Sequence, residues 1–429
     1  MNPRRAALRK LGVASLSMAA MPLFHPERTS QISTALQKRK HLSAKEIAKD
    51  ETFWYHVQRA YTVSPHFINL ENGYFSLQAR EVMESQFDHI RMINEKPALY
   101  MRTQQWEDRE RIKKELAKFA GCSPEEIAIT RNTTEALDTV IHGLTLEKGD
   151  EVITTTQDYD SMVQAFDQQA KRFGIVNKKI SIPLHPKSKM EMVKHYEKAI
   201  TDKTKVMLVT HLINISGQIL PVKEICEMAH ANRVDVISDS AHAFAHLDFK
   251  IPDLGCDYFG TSLHKWLGTP VGLGMLYIKK EKIKKVWPLF GDTYYPEDDI
   301  RKLEHIGTYP CASTLTIASA IRFHNAIGSK RKEERLRYLK NYWAERVKDL
   351  PKVTLNMPLT DEQSCGLGNV AIEGMPPSEL SKKLYEDFRI FTVAIHREAI
   401  KGVRVTPHLY TTTSDLDAFV NAMKVITQA

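Results

Sequence analysis

Cysteine is scarce in this sequence: five cysteines occur in 429 residues, widely spaced and without a Cys-x-x-Cys pair. An odd number of isolated cysteines does not make a disulfide framework, and this spacing does not suit a structural zinc site. We therefore predict no metal site and interpret most of the cysteines as small buried hydrophobic residues. They are Cys122, Cys226, Cys256, Cys311 and Cys365.

Long apolar runs, internal repeats and low-complexity segments are also missing from the sequence. No apolar run is long enough to span a bilayer, so we predict no stable insertion into a membrane. What is present is ordinary for a globular protein, with 42% hydrophobic and 26% charged residues. A chain of this length has room for a large α/β domain and a smaller appended domain.

Positive charge exceeds negative charge, and the formal net charge is +8. Such an excess sometimes marks a nucleic-acid partner. Here the basic residues are interleaved with acids, as in Lys330–Glu334, and no motif of a nucleic-acid-binding domain is found. The stretch from Lys330 to Leu350 is interpreted as one charged amphipathic helix with a solvated face. We predict no nucleic-acid partner.

The N-terminus carries two adjacent arginines, Arg4 and Arg5, before a mildly apolar stretch from Leu11 to Phe24. This arrangement resembles a twin-arginine export signal, although Pro3 departs from the usual motif. We expect residues 1–26 to be the signal and the protein to be periplasmic or otherwise exported. The alternative is a basic tail on a cytoplasmic protein.

The rest of the chain divides into three parts: an N-terminal helical arm (27–69), a large domain (70–311) and a small α+β C-terminal domain (312–429). In the large domain, apolar strand patterns alternate with helical patterns of about a dozen residues. This alternation predicts an α/β fold with a mainly parallel sheet and helices on both faces. The strand patterns lie at 150–155, 175–182, 205–210, 234–238, 257–261 and 274–278.

A first candidate site segment runs from Ile129 to Leu137, where a short apolar strand meets a helical pattern at Thr133 and Thr134. The free amides and the dipole of a helix N-terminus favour an anion such as a phosphate. The alternative is an ordinary helix cap followed by a glutamate.

A second segment places Asp239 at the end of a buried strand. A buried carboxylate is costly unless it has a cationic partner, and a protonated ring nitrogen would supply one. The alternatives are a metal-binding or a helix-capping aspartate.

A third segment places Lys265 directly after a buried strand and after Ser262 and His264. Lysine favours open surface, and a partly desolvated lysine has a lowered pKa that frees its amine to attack an aldehyde. Ser262 and His264 would reach the same phosphate. The alternative is a surface lysine.

A fourth segment places Arg404 on a short strand near the C-terminus. Its guanidinium would bind a substrate carboxylate through two parallel hydrogen bonds. The alternative is a surface arginine.

Each of these four segments offers something that a phosphorylated pyridine aldehyde needs from a protein. The runs TSLHKWLGTPVGLGML and TRNTTEAL make the resemblance specific. From about Asn69 onward the chain resembles the class V aminotransferases of pyridoxal-phosphate (PLP) fold type I, and most of all their isopenicillin N epimerase-like branch, which is related to the cysteine desulfurases. The resemblance implies a seven-stranded large-domain sheet, bound pyridoxal 5'-phosphate and a homodimer.

The resemblance also implies roles for particular residues. Lys265 would carry the cofactor as a Schiff base and move the proton at the substrate's Cα, with Asp239 pairing to the ring nitrogen and Arg404 binding the substrate's carboxylate. Tyr159 would lie over the ring, and Thr308 would reach the phosphate of the neighbouring subunit. The remaining cofactor-binding residues would be Thr133, Thr134, Ser262 and His264 at the phosphate, and Asn214 and His242 beside the phenolic oxygen.

The absence of one cysteine indicates the class of reaction. Cysteine desulfurases need a cysteine just before the carboxylate-binding arginine, and residues 393–402 contain none. We therefore predict an aminotransferase or an epimerase acting at the Cα of a small-molecule amino acid or of a secreted peptide with a free α-amine. Epimerisation would need a second acid, such as Tyr159 or His396. The alternatives are a PLP-dependent lyase of the desulfurase type, a binding protein that has lost the cofactor, and a dinucleotide-binding protein, which the missing GxGxxG disfavours.

Overall fold

The computed structural model describes residues 27–397 and 400–428. The predicted export signal, residues 1–26, lies outside the described residues. Within these ranges no helix combines the length and the apolar character needed to cross a membrane.

Strands and helices alternate through most of the described chain. The strands are β1 (Ile68–Asn69), β2 (Ile127–Thr130), β3 (Glu151–Thr155), β4 (Val176–Ile180), β5 (Thr204–Thr210), β6 (Asp235–Asp239), β7 (Tyr258–Ser262), β8 (Gly274–Ile278), β9 (Val353–Leu355), β10 (Gly368–Ile372), β11 (Ile390–Phe391), β12 (Val393–His396) and β13 (Lys401–Val405). The helices are α1 (Glu27–Gln37), α2 (Ala44–Ala48), α3 (Glu51–Gln58), α4 (Arg80–Glu95), α5 (Pro97–Thr103), α6 (Gln105–Ala120), α7 (Thr133–Gly143), α8 (Asp160–Phe173), α9 (Lys189–Glu197), α10 (Val222–Ala231), α11 (Ile251–Leu254), α12 (Cys311–Ile327), α13 (Ser329–Val347), α14 (Pro377–Phe388) and α15 (Thr413–Gln428).

The large sheet has seven strands in the order β2-β8-β7-β6-β5-β3-β4. Only β8 runs against the others, since its pairings with β2 and β7 are antiparallel and the remaining pairings are parallel. Apolar side chains are buried on both faces, and two separate hydrophobic cores result. The predicted mainly parallel, seven-stranded sheet is therefore confirmed.

The start of the large domain is more helical than the sequence pattern indicates. We expected the regular alternation from about residue 70, but α4, α5 and α6 come before β2 at Ile127. Helices α4 and α6 pack against α12, which comes much later in the chain. Such a distant packing partner leaves no local trace in the sequence.

The small domain has a four-stranded antiparallel sheet in the order β12-β13-β10-β9. Helices α13, α14 and α15 cover it around a third hydrophobic core, as the predicted α+β domain requires. Strand β1 pairs in parallel with β11, and Leu70 belongs to the same core. The end of the N-terminal arm therefore packs on the small domain, while the exact domain limits stay a prediction.

Helix α13 corrects one expectation. Its charged surface was predicted to be solvated, yet many of its charges are buried in ion pairs. Arg335 is fully buried, donates to both carboxylate oxygens of Glu51 and lies over the Trp54 ring. The charge pattern alone predicts a solvated face, but an ion-pair partner on the N-terminal arm, Glu51, compensates for the cost of burying the charge of Arg335. The buried charged residues of the helix are Lys332, Glu333, Glu334, Arg335, Arg337 and Lys340.

Candidate active site

A cavity of about 340 Å³ opens at the carboxyl ends of the parallel strands. Ligands bind at this edge in sheets of this type. Every site residue predicted from the sequence lines this cavity except Thr308 and the alternative acid His396, which are both exposed and not part of its lining. The residues brought together are Thr133, Thr134, Tyr159, Asn214, Asp239, His242, Ser262, His264, Lys265 and Arg404.

One end of the cavity is formed by the N-terminus of α7. The backbone N–H of Thr133 donates to the Ser262 hydroxyl oxygen at 3.0 Å, and the two hydroxyl oxygens are 2.7 Å apart. Asn132 caps the helix by accepting the Glu135 N–H at 2.9 Å. A side chain at Gly274 would come within 2.6 Å of the Asn132 backbone, so only glycine fits between β8 and this loop. Sequence reasoning did not single out Asn132 or Gly274.

His264 lines the same cavity as the N-terminus of α7. Its Nδ1 is buried and has no hydrogen-bond partner among the described residues. Burial, followed by the nearby Lys265, lowers the pKa of His264 to about 4. An unpartnered polar atom beside two hydroxyls and a helix N-terminus fits a phosphate group, which would supply the missing acceptor.

Asp239 forms the floor of the cavity at the end of β6. It is 3% exposed, and its Oδ1 accepts the Ala241 N–H at 3.0 Å. Burial raises the pKa of Asp239, while the Ala241 hydrogen bond and Lys265 act in the opposite direction. A protonated ring nitrogen would stabilise this carboxylate in its charged form.

The amine of Lys265 faces His242, with Lys265 Nζ and His242 Nε2 3.1 Å apart. The indole of Trp266 donates to His242 Nδ1 at 3.4 Å, and burial holds the pKa of His242 well below its usual value. A neutral imidazole that accepts at Nδ1 carries its proton on Nε2. In that tautomer the Nε2–H would donate to a lone pair on Nζ, which favours the uncharged form of the amine. In agreement, burial lowers the pKa of Lys265 to about 8.

This lowered pKa predicts how fast the cofactor-free protein captures pyridoxal phosphate. The rate should rise about tenfold per pH unit up to about pH 8 and then level off, because only the uncharged amine attacks an aldehyde. An ordinary lysine would go on gaining rate to above pH 10. Stopped-flow absorbance between pH 6 and 10 measures this, and a rate still rising above pH 9 would contradict the assignment.

The mouth of the cavity is formed by residues that sequence reasoning largely missed. Tyr159, which was predicted, directly precedes α8 and is 41% exposed. Gly73, Tyr74 and Phe75 follow β1 and line the same opening. A Cβ at Gly73 would be tight against the Thr406 side chain at 3.2 Å and would touch His242 and Arg404 at 3.4 and 3.5 Å, so a larger residue would crowd this wall.

Arg404 also lines the cavity, and it is paired there with a residue the sequence did not suggest. Its Nε donates to Glu71 Oε2 at 3.0 Å, and its Nη2 donates to Glu71 Oε1. Its Nη1 donates to the backbone oxygen of Asn214 at 3.0 Å. Both side chains of the ion pair are largely buried.

The cysteines lie elsewhere. All five fall within the described part of the chain, and none of them lines the cavity. Burial raises the pKa of every one of these thiols. They are therefore protonated and poorly nucleophilic at neutral pH.

Comparison with known proteins agrees with this geometry. The model of the class V aminotransferase family matches residues 80–419. The chain belongs to this family. The predicted cofactor, pyridoxal 5'-phosphate, is thereby confirmed, and so is the predicted family of enzymes.

Relatives of two kinds match this class V member. An isopenicillin N epimerase from Streptomyces clavuligerus is 27% identical, over 78% of this chain and 86% of the relative. A probable cysteine desulfurase from Halalkalibacterium halodurans is 31% identical, over 70% of this chain and 78% of the relative. The apo structure of a cysteine desulfurase from Thermococcus onnurineus NA1 has the same fold, with a TM-score of 0.76, 23% identity and coverage of 87% and 98%.

Proposed function

We propose that this class V enzyme is an aminotransferase or an epimerase that acts at the Cα of an amino acid, or of an amino-acid residue with a free α-amine. One observation carries the proposal. A lysine amine, a buried carboxylate and a helix N-terminus flanked by hydroxyl groups line one cavity, and no cysteine is among its lining residues.

The roles we propose follow from these contacts. Thr133, Thr134, Ser262 and His264 hold the phosphate, and Asp239 pairs with the ring nitrogen. When bound, pyridoxal phosphate withdraws electrons from the substrate's Cα, so that a proton leaves it readily. Lys265, whose amine is uncharged above about pH 8, accepts and returns that proton.

Asn214 and His242 line the cavity and would lie beside the phenolic oxygen of the ring. Nε2 of His242, which lies 3.1 Å from Lys265 Nζ, would donate to that oxygen in its protonated tautomer. These two roles come from the family resemblance, and the shared cavity supports them.

Sulfur transfer is the less favoured reaction. A persulfide mechanism needs a thiolate beside the substrate, and all five thiols lie outside the cavity with raised pKa values. Strands β12 and β13 pair directly, with His396 opposite Lys401, and the intervening residues 397–400 contain no cysteine. The observations favour chemistry at Cα over a desulfurase-type lyase.

Epimerisation requires a second acid on the face opposite Lys265. Of the two candidates from the sequence, Tyr159 lines the cavity, whereas His396 is exposed on β12 and does not. Tyr159 is therefore the residue we propose for the second proton transfer.

Incubation of the cofactor-loaded enzyme with amino acids in deuterium oxide tests the proposal. We expect deuterium at Cα, together with either the opposite stereoisomer or the corresponding oxo acid. Tyr159→Phe should abolish stereoinversion while Cα exchange continues, because Lys265 serves the other face. Sulfide released from cysteine without Cα exchange products would favour a desulfurase-type lyase instead.

Two whole-protein features belong to the same proposal. We propose a homodimer. Thr308 is exposed and does not line the cavity of its own chain, so it is free to contact the phosphate of a neighbouring subunit, as the family resemblance implies.

We also propose export by the twin-arginine route, which carries folded proteins and would allow the cofactor to be bound first. The support for export is the arginine pair at Arg4 and Arg5.

A further inference from the structure

Glu71 is a buried carboxylate that the proposed chemistry leaves unused. It lies two residues after β1 and is 9% exposed. Its two oxygens accept from Nε and Nη2 of Arg404, and Oε1 also accepts the Tyr74 N–H at 3.0 Å. Arg404 lines the cavity, whereas Glu71 does not. Glu71 therefore holds the guanidinium of Arg404 in place without itself lining the cavity.

The hydrogen-bond donors of Arg404 can be counted. A guanidinium has five N–H donors. Glu71 takes two of them, and the carbonyl oxygen of Asn214 takes one from Nη1 at 3.0 Å. One donor remains on Nη1 and one on Nη2. Two donors on neighbouring nitrogens match one planar acceptor group, such as a carboxylate or an amide carbonyl.

The charge of Arg404 is offset as well. Glu71 is buried against it, so the pair presents hydrogen-bond donors to the cavity with little net positive charge. An unpaired arginine would favour a carboxylate strongly over an uncharged carbonyl. A paired arginine loses most of that preference, because the buried Glu71 carboxylate repels a second carboxylate that approaches the same guanidinium, whereas it does not repel an uncharged carbonyl.

The cavity mouth suits a substrate that continues outward. Tyr74, Tyr159 and Val271 line it and are 76%, 41% and 62% exposed. These apolar surfaces would contact the part of a substrate that extends past its Cα carbonyl.

We propose that Glu71 positions Arg404 and sets its specificity, so that the site accepts substrates whose Cα carries an uncharged carbonyl, as in an amino-acid amide or the N-terminal residue of a peptide. This inference rests on the proposed function and deepens it. It extends the substrate class from amino acids with a free carboxylate to amines whose Cα carries an amide carbonyl.

The test is a spectral titration of the cofactor-loaded enzyme with L-phenylalanine and with L-phenylalaninamide. In the wild type we expect dissociation constants within about tenfold of each other. Glu71→Gln keeps the size of the side chain and removes its charge. It should shift the ratio toward the carboxylate by about tenfold or more, and Glu71→Asp should restore most of the wild-type ratio.

A matched control is Glu51→Gln. Glu51 also accepts two hydrogen bonds from a buried arginine, Arg335, through Nη1 and Nη2, and neither residue lines the cavity. It should leave the ratio unchanged. An equal change for both ligands in Glu71→Gln would show a merely structural role and overturn the inference, as would a wild type that prefers the acid by more than a hundredfold. A wild type with a cofactor band that neither amine shifts would instead overturn the proposed function itself.

Discussion

Replacing Lys265 with alanine is expected to remove the visible absorbance of the purified protein and to lower turnover by at least about 10³-fold. Lys265 lines the cavity, and burial lowers the pKa of its amine to about 8. Without it the cofactor has no covalent attachment, and the substrate's Cα loses its base. The measurement is an absorbance spectrum before and after borohydride, followed by an assay with amino acids.

The chain provides a matched control for this experiment. Lys340 is also buried, and burial lowers its pKa to about 8, but its Nζ donates to the Ser364 hydroxyl away from the cavity. Lys340→Met should therefore retain the visible band, even at some cost in stability. After borohydride, peptide mass mapping should find the cofactor on Lys265 alone. A band that survives in Lys265→Ala, or a label on Lys340, would contradict the assignment.

Much of the sheet could be predicted because buried parallel strands leave a local pattern. The apolar runs at 205–210, 234–238 and 257–261 lie within one residue of β5, β6 and β7. The strand ends then predicted where Asp239 and Lys265 would meet, since parallel strands end at a common edge. This part of the site needed no tertiary information.

Glu71 could not be predicted in the same way. Its contacts with Arg404 join residues 333 positions apart, and a short strand contact with the small domain brings them together. The local sequence around Glu71 carries no motif that indicates a carboxylate behind an arginine. Arg335 of α13 was missed for the same reason, because its compensating partner, Glu51, lies on the arm.

Asp239→Asn should be the second most damaging substitution, with turnover reduced roughly 10²- to 10³-fold. The carboxylate is 3% exposed, and burial raises its pKa, so it needs a cationic partner to stay charged. A charge pair at about 4 Å is worth about 4 kcal/mol at an intermediate dielectric, before desolvation costs, and an amide cannot provide it. Losing that interaction weakens the electron withdrawal on which proton removal at Cα depends.

The matched control for Asp239 is Asp158, a second buried carboxyl group close by. Burial raises the pKa of Asp158 to about 7, and its oxygens accept from the Thr210 hydroxyl and the Thr155 N–H at 2.7 Å each. Asp158 does not line the cavity, so Asp158→Asn should cost stability and leave turnover within about tenfold of the wild type. Cofactor spectra and steady-state rates for the two variants separate the roles. Equal losses of turnover would mean that buried charge in general, rather than a carboxylate at the ring nitrogen, is what the reaction requires.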